Sequence, residues 1–201
     1  MINTVIFDMG NVLVDFRWRK LFAEMGLEGE KFEKMAKATV LDPVWNEFDR
    51  GFWSDEQMLE AFIKNAPELE RELREFMNVR FPRLLEKFDY TDEWMDGLKK
   101  KGYRIYILSN FSRKAMNDCA KELDYIGKAD GAVISYRIGL IKPDPAIFEY
   151  LFDTYGVNPS EAVFIDDTKE NTDAAAKLGL ATILFTGKEA ADAELEKLLV
   201  K

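Results

Sequence analysis

The chain has 201 residues, 47% of them hydrophobic and 32% charged, which suits one globular domain with a sizeable insertion, or one domain beside a small second one. A net charge of −9 argues against nucleic acid as a partner, because neutralising phosphates takes clustered Lys and Arg. There is no histidine and a single cysteine, Cys119, so Ser-His-Asp and Cys-His catalysis, His- or Cys-caged zinc and an intramolecular disulfide are excluded together. Any catalysis is left to carboxylates, lysine, hydroxyls, backbone amides or a bound ion.

In chain order, INTVIF at 2–7 is an apolar strand that stops at Asp8, with Gly10 and Asn11 behind it. Trp18, Leu21, Phe22 and Met25 then keep helical spacing up to a stop at Gly26, and Phe32, Met35, Ala36 and Thr39 repeat it. Ser54 with Gln57 is a capping box ahead of Met58, Leu59, Phe62 and Ile63; Leu69, Leu73 and Phe76 mark a further helix. No strand is expected between residues 16 and 87.

From residue 88 strands and helices alternate. A helix around Trp94, Met95 and Leu98 precedes the strand YRIYIL at 103–108, and a helix through Ala115, Met116, Cys119, Ala120 and Leu123 precedes GAVIS at 131–135. Cys119 falls on that helix's apolar face, as a packed thiol would. Asp144-Pro145 reads as an N-cap with a first-turn proline. The strand AVFI at 162–165, a helix ending near Gly179, the strand ATILF at 181–185 and a charged amphipathic helix complete the chain. The expected fold is α/β: a three-layer, Rossmann-like parallel sheet (1–15 and 88–201) with a helical cap (16–87) inserted after the first strand. No apolar run is long enough to span a membrane and no charged leader with an apolar centre precedes residue 5, which sets the cytoplasm as the expected location.

Polar residues stand at the carboxyl ends of the apolar strands: Asp8 after the first, Ser109-Asn110 after YRIYIL, Asp166-Asp167 after AVFI. In a parallel sheet these points share one edge, the edge at which open α/β sheets bind ligands. Each has an ordinary explanation alone, as a turn residue or a helix cap. Their convergence in a histidine-free chain instead suggests a bound divalent cation, and oxygen-only ligands favour magnesium over zinc. Lys142, in the tight IKPDP segment, offers a point charge for an anion near the same edge.

Four elements in order, FDMGNV at 7–12, ILSN at 107–110, Lys142 in IKPDP and FIDDTKEN at 164–171, resemble the haloacid dehalogenase superfamily of hydrolases. The opening FDMGNVLVDF is similar to sugar-phosphate phosphatases acting on glucose 1-phosphate and to the phosphatase domain of epoxide hydrolases. The resemblance implies that Asp8 is a nucleophile forming an aspartyl-phosphate, and that magnesium binds the Asp8 carboxylate, the Gly10 carbonyl and Asp167, with Asp166 nearby or bound through water. It implies that Ser109 and the Asn110 amide hold phosphoryl oxygens and that Lys142 neutralises the phosphate and Asp8.

One position departs from the pattern. Phosphatases of the superfamily commonly carry a general-acid Asp two residues after the nucleophile, and here Gly10 stands there. Asp15 or a magnesium-ordered water is the expected substitute. Within the cap, Trp45, Phe48, Asp49 and Arg50 offer an aromatic surface with a polar pair, and Trp45 and Arg50 are the expected substrate contacts. The expected activity is magnesium-dependent hydrolysis of a small phosphate ester, a sugar phosphate being one candidate, by a monomer or weak homodimer. The alternatives are a 2-haloacid dehalogenase, which would not need the paired acids, and a non-catalytic binding module on the same fold.

Overall fold

In the computed structural model, which describes residues 1–199, the strand β1 (Thr4–Phe7) is buried along its whole length, as a central strand covered on both faces must be. β2 (Val14–Phe16) follows, then the helices α1 (Trp18–Glu24), α2 (Gly29–Ala38), α3 (Val44–Arg50), α4 (Asp55–Asn65) and α5 (Glu70–Glu75). β3 (Leu85–Lys87), α6 (Thr91–Lys100), β4 (Arg104–Ser109), α7 (Arg113–Asp118) and β5 (Gly131–Ile134) come next. The chain continues through α8 (Pro145–Tyr155), β6 (Ala162–Asp166), α9 (Lys169–Lys177), β7 (Ala181–Leu184) and α10 (Lys188–Leu199).

Five strands form a parallel sheet in the order β5-β4-β1-β6-β7, so the chain reverses direction of travel across the sheet at β1. Phe7 lies level with Ile107 on one neighbour and Ile165 on the other. The next step along each strand therefore brings Asp8 beside Asp166, with Ser109 just beyond on β4. The polar strand ends share one edge because of this register.

Alternation along the strands splits the core. Val5, Phe7, Ile105, Ile107, Val163 and Ile165 face one side; Ile6, Leu108 and Phe164 face the other, against Ile147, Phe148 and Leu151 of α8 and Ala175 of α9. Each such fully buried Val, Leu, Ile or Phe side chain contributes about 1.5–3 kcal/mol. The larger cluster runs without a break into the helical insertion, through Phe22, Phe62, Phe76 and Phe81. Ring pairs such as Phe22–Phe76 at 5.3 Å and Phe76–Phe81 at 5.5 Å tie it together.

Capping follows the sequence closely. The Ser54/Gln57 box is formed, with Gln57 N–H donating to Ser54 Oγ (3.2 Å) and Ser54 N–H to Gln57 Oε1 (2.9 Å). Asp144 caps α8 by accepting from Ala146 N–H, with Pro145 at the first position.

Three expectations need correction. Strand does occur at the margins of the insertion: β2 and β3 pair antiparallel, Asp15 opposite Glu86, a three-residue ladder too short to leave a pattern in the sequence. The helix expected through Leu123 ends at Asp118, and a 3₁₀ stretch, Ala120–Lys128, takes over. Residues three apart share a face in either winding, so the spacing of Met116, Cys119, Ala120 and Leu123 could not separate them. The helix expected through Phe76 gives way there to a π-helical turn, Phe76–Arg80.

Candidate active site

The site is built first from the sheet edge. Lys142, almost wholly buried, places its ammonium 2.8 Å from Asp8 Oδ1 and 2.6 Å from Asp166 Oδ2. Ser109 Oγ donates to Asp8 Oδ1 at 2.5 Å. Asp166 accepts from Thr168 N–H (2.8 Å) and, on both oxygens, from Asn171 Nδ2 (3.0 and 3.1 Å). Asn110 closes a ring with the Lys142 backbone, its Oδ1 accepting from Lys142 N–H (2.8 Å) and its Nδ2 donating to Lys142 C=O (2.9 Å). A buried lysine is thereby held at both ends of its residue, which is how a compact charge on a flexible stem acquires a fixed position.

Asp167 sits across the pocket mouth, held by Asn11 Nδ2 at 2.8 Å. Asn11 adopts the left-handed region, φ 57°, a conformation that a short polar side chain tolerates. Its Oδ1 also accepts from Phe16 N–H at 3.3 Å, so one side chain links the loop after β1, β2 and the loop after β6.

The electrostatics follow from burial. Burial raises the Asp8 carboxyl to about 6, with Lys142 and the Ser109 hydroxyl opposing the shift and Asp166 adding to it. For Lys142 burial works to lower the value, and the two flanking carboxylates outweigh it, so the ammonium is retained. Asp167 is raised, by burial first, against the pull of its Asn11 hydrogen bond. Asp8, Asp166 and Asp167 each offer an oxygen within 4.8 Å of the others. Three acids against one ammonium leave this edge net negative, and a hard divalent cation fits an all-oxygen donor set of that charge. Asp166, with both oxygens already engaged, is better placed to hold Lys142 than to give up a lone pair to a metal.

The insertion supplies the opposite wall. A cavity of about 210 Å³ lies between the sheet edge and α3, bounded on the insertion side by Phe16, Trp45, Asp49, Leu84 and Leu85 and on the sheet side by Asp8, Ser109, Lys142 and Asp167. Trp45 is braced by Phe62 and Phe81, stacked at 6.1 and 6.4 Å, and by Phe16 at 5.8 Å. Asp49, one turn on from Trp45, is buried yet makes no side-chain hydrogen bond or ion pair among the described residues. Burial, reinforced by the Asp8 charge and only partly offset by Lys142, pushes its carboxyl up to about 8.

Of the residues expected from sequence, Asp8, Gly10, Ser109, Asn110, Lys142, Asp167 and Trp45 line one cavity, and Asp166 lies directly behind it. Two do not reach it. Asp15 lies on β2 between Val14 and Phe16, and strand alternation that turns Phe16 into the cavity turns Asp15 away. Arg50 directs Nη1 to Gly139 C=O (3.3 Å) and Nε toward Glu47 (3.5 Å), outside the cavity wall. Sequence reasoning gave Asn11, Phe16 and Asn171 no part. Asn171 had a signal: it stands one turn into the helix after the Asp166-Asp167 pair, facing back at it.

A protein-family model for haloacid dehalogenase-like hydrolases matches residues 2–179. The chain belongs to that family. All four motifs on which the resemblance rests fall inside the matched stretch. D-ribitol-5-phosphate phosphatase of Bacteroides thetaiotaomicron is 30% identical over 198 residues, covering 90% of this chain and 91% of that protein. Acyl-CoA dehydrogenase family member 10 of the mouse is 30% identical over 209 residues, 98% of this chain but 19% of the mouse protein, so the chain spans about a fifth of that relative's length. Among solved structures, a family enzyme of Bacteroides thetaiotaomicron, an aspartate-to-alanine variant in complex with magnesium and inorganic phosphate, superposes with a TM-score of 0.74 at 21% identity, over 94% of this chain and 96% of that one. An L-2-haloacid dehalogenase of Xanthobacter autotrophicus gives 0.67 at 18% identity, over 98% and 83%. Haloacid dehalogenase-like hydrolases of differing chemistry thus share this backbone, and the side chains at the sheet edge must decide between them.

Proposed function

We propose that this hydrolase is a magnesium-dependent phosphatase acting on a small phosphomonoester through an aspartyl-phosphate on Asp8. The observation that carries the reading is the single buried ammonium of Lys142 shared between Asp8 and Asp166, with Asp167 offering an oxygen within 4.8 Å of one on Asp8. A dianionic phosphate could not approach three carboxylates and one lysine unaided. A divalent ion held by Asp8, the Gly10 carbonyl and Asp167 supplies the missing positive charge when bound. A dehalogenase, which displaces its halide without magnesium, has no use for Asp167 as a metal ligand.

In this reading Lys142 keeps one Asp8 oxygen ionised and oriented, leaving the other to attack phosphorus in line with the departing oxygen. Ser109 Oγ, by turning its one proton from Asp8, and the Asn110 backbone N–H would donate to phosphoryl oxygens as charge develops on them. Asp166 and Asn171 act on Lys142 and on the loop, not on substrate. A cavity of about 210 Å³ is small beside the ~300–1,000 Å³ of drug-sized pockets, so the ester is small. The similarity to a ribitol-phosphate phosphatase makes a sugar or polyol phosphate the first candidate, with Trp45 as the surface against its carbon skeleton.

The test is release of phosphate from p-nitrophenyl phosphate in magnesium. Asp8→Asn should lower kcat by about 10³-fold or more, the scale of a lost nucleophile. Full activity in a chelator, or near-normal turnover of Asp8→Asn, would overturn the reading.

A further inference from the structure

The phosphatase reading leaves a proton unaccounted for. Asp8 as nucleophile expels an alkoxide, a poor leaving group at neutral pH, and Gly10 offers no side chain to protonate it. Asp15 faces away from the cavity. One acid does look into it from the insertion.

Asp49 occupies the last turn of α3, on the same helical face as Trp45 and Phe48, where the spacing calls for an apolar residue. It is 8% exposed, and no residue of the described chain gives its carboxyl a hydrogen bond or a cation. A buried carboxyl without a partner costs stability, so its natural partner is something that enters the cavity. Its backbone is pinned to the sheet domain. Ser135 Oγ donates to Asp49 C=O at 2.6 Å, and the same hydroxyl accepts from Phe111 N–H at 2.9 Å. Gly51, in the left-handed region at φ 77°, lies so close to Tyr136 that a Cβ would come 2.6 Å from its carbonyl oxygen. The end of α3 is thus clamped beside the strand that follows α7, and Asp49 is held opposite Asp8 and Lys142.

We propose that Asp49 is the general acid and base of the reaction, delivered from the insertion in place of the acid absent at Gly10. This rests on the phosphatase reading. As the Asp8 oxygen bonds to phosphorus and the ester P–O bond breaks, the Asp49 carboxyl gives its proton to the departing oxygen, which leaves as the alcohol. The Asp49 carboxylate then takes a proton from water while the water oxygen bonds to phosphorus. The bond from phosphorus to Asp8 breaks, its electron pair returns to the Asp8 carboxylate, and inorganic phosphate leaves with Asp49 protonated again. The charged groups acting on Asp49 are Asp8, which favours its protonated form, and Lys142, which opposes it; burial decides for the proton.

The experiment compares two aryl esters of differing leaving-group acidity, p-nitrophenyl phosphate and phenyl phosphate, by rapid-mix kinetics in magnesium. In Asp49→Asn the p-nitrophenol burst should keep a rate within about tenfold of wild type, while phenol release falls by about 10²-fold or more. Steady-state turnover of both esters should fall as phosphoenzyme accumulates, because water has lost its base. The burst amplitude counts competent sites, so a poorly folded preparation is recognised and the rate per site still compared. Equal loss in the two bursts, no loss in either, or the same leaving-group pattern in Asp15→Asn would overturn the proposal. Failure of the wild-type protein to release phosphate from either ester would overturn the phosphatase reading itself, a different result.

Discussion

The two walls of the cavity are built on opposite plans. On the sheet side the polar groups behind the reacting edge are held in a connected network: Lys142 is shared by two acids, Asp166 takes three donors, and Asn110 and Asn11 each use both ends of their side-chain amides. On the insertion side the wall is aromatic and aliphatic, with one acid that has no partner. A saturated network fixes atoms in place, and a reaction at phosphorus needs fixed charges more than adaptable ones. An unsaturated wall can take its hydrogen bonds from the ligand. The contrast places positioning on the sheet edge and leaves recognition, and by our inference proton transfer, to the insertion.

The largest effect should come from emptying the saturated wall of its cation. Lys142→Met strands Asp8 and Asp166 as neighbouring buried acids, and should cost about 3–5 kcal/mol in urea unfolding at neutral pH. Added magnesium should recover part of that stability in the variant if the same carboxylates hold the ion.

Gly51→Ala attacks the other wall through its clamp. A methyl at φ 77°, 2.6 Å from Tyr136 C=O, should cost about 2–3 kcal/mol by thermal melting. Gly102→Ala, at φ 87° with no atom near its added carbon, should cost only about 1 kcal/mol. Similar losses at the two glycines would mean that α3 is not clamped.

The unpaired acid makes a prediction about pH. With its folded value near 8 and an unfolded value near 3.9, Asp49 binds its proton more tightly when folded, so its contribution is whole at low pH and lost as pH rises toward 8. Between pH 5 and 8 the wild type should therefore lose roughly 1–3 kcal/mol more than Asp49→Asn, measured by urea unfolding at each pH.

Away from the cavity the sign reverses. Glu72 is held down to about 2, first by the Lys31 ammonium at 2.6 Å, against the pull of burial and with help from Arg71. A depressed carboxylate stabilises above its unfolded pKa and stops doing so as pH falls through about 2. Lys31 is 47% exposed, so Glu72→Gln should soften the acid limb by about 1 kcal/mol or less and leave turnover unchanged.

Much of this was legible in the sequence, for identifiable reasons. The five core strands are apolar runs that stop on polar residues, and helix starts such as Ser54 and Asp144 carry their signals locally. The sheet-edge residues were legible because strand ends in a parallel sheet must share an edge. Asp15 and Arg50 misled because their directions are set at a distance, Asp15 by pairing with β3 some seventy positions away and Arg50 by Gly139. Asp49 carried a local sign, an acid on an apolar helical face. Its significance depended on having no partner, which only the packed structure reveals.

The antiparallel ladder of β2 and β3 has a further consequence. The whole helical insertion hangs from this two-stranded stalk, so the stalk's register chooses what the cavity wall is made of. With Phe16 opposite Leu85 and Asp15 opposite Glu86, the wall is an aromatic ring, and the two acids lie outward, where Lys20 meets Glu86 at 3.3 Å. A slip of a single residue would exchange ring for carboxylate beside the reacting phosphorus. Asn11, accepting from Phe16 N–H while donating to Asp167, locks that choice to the sheet edge itself. Three residues of strand thus act as a key cut for one position.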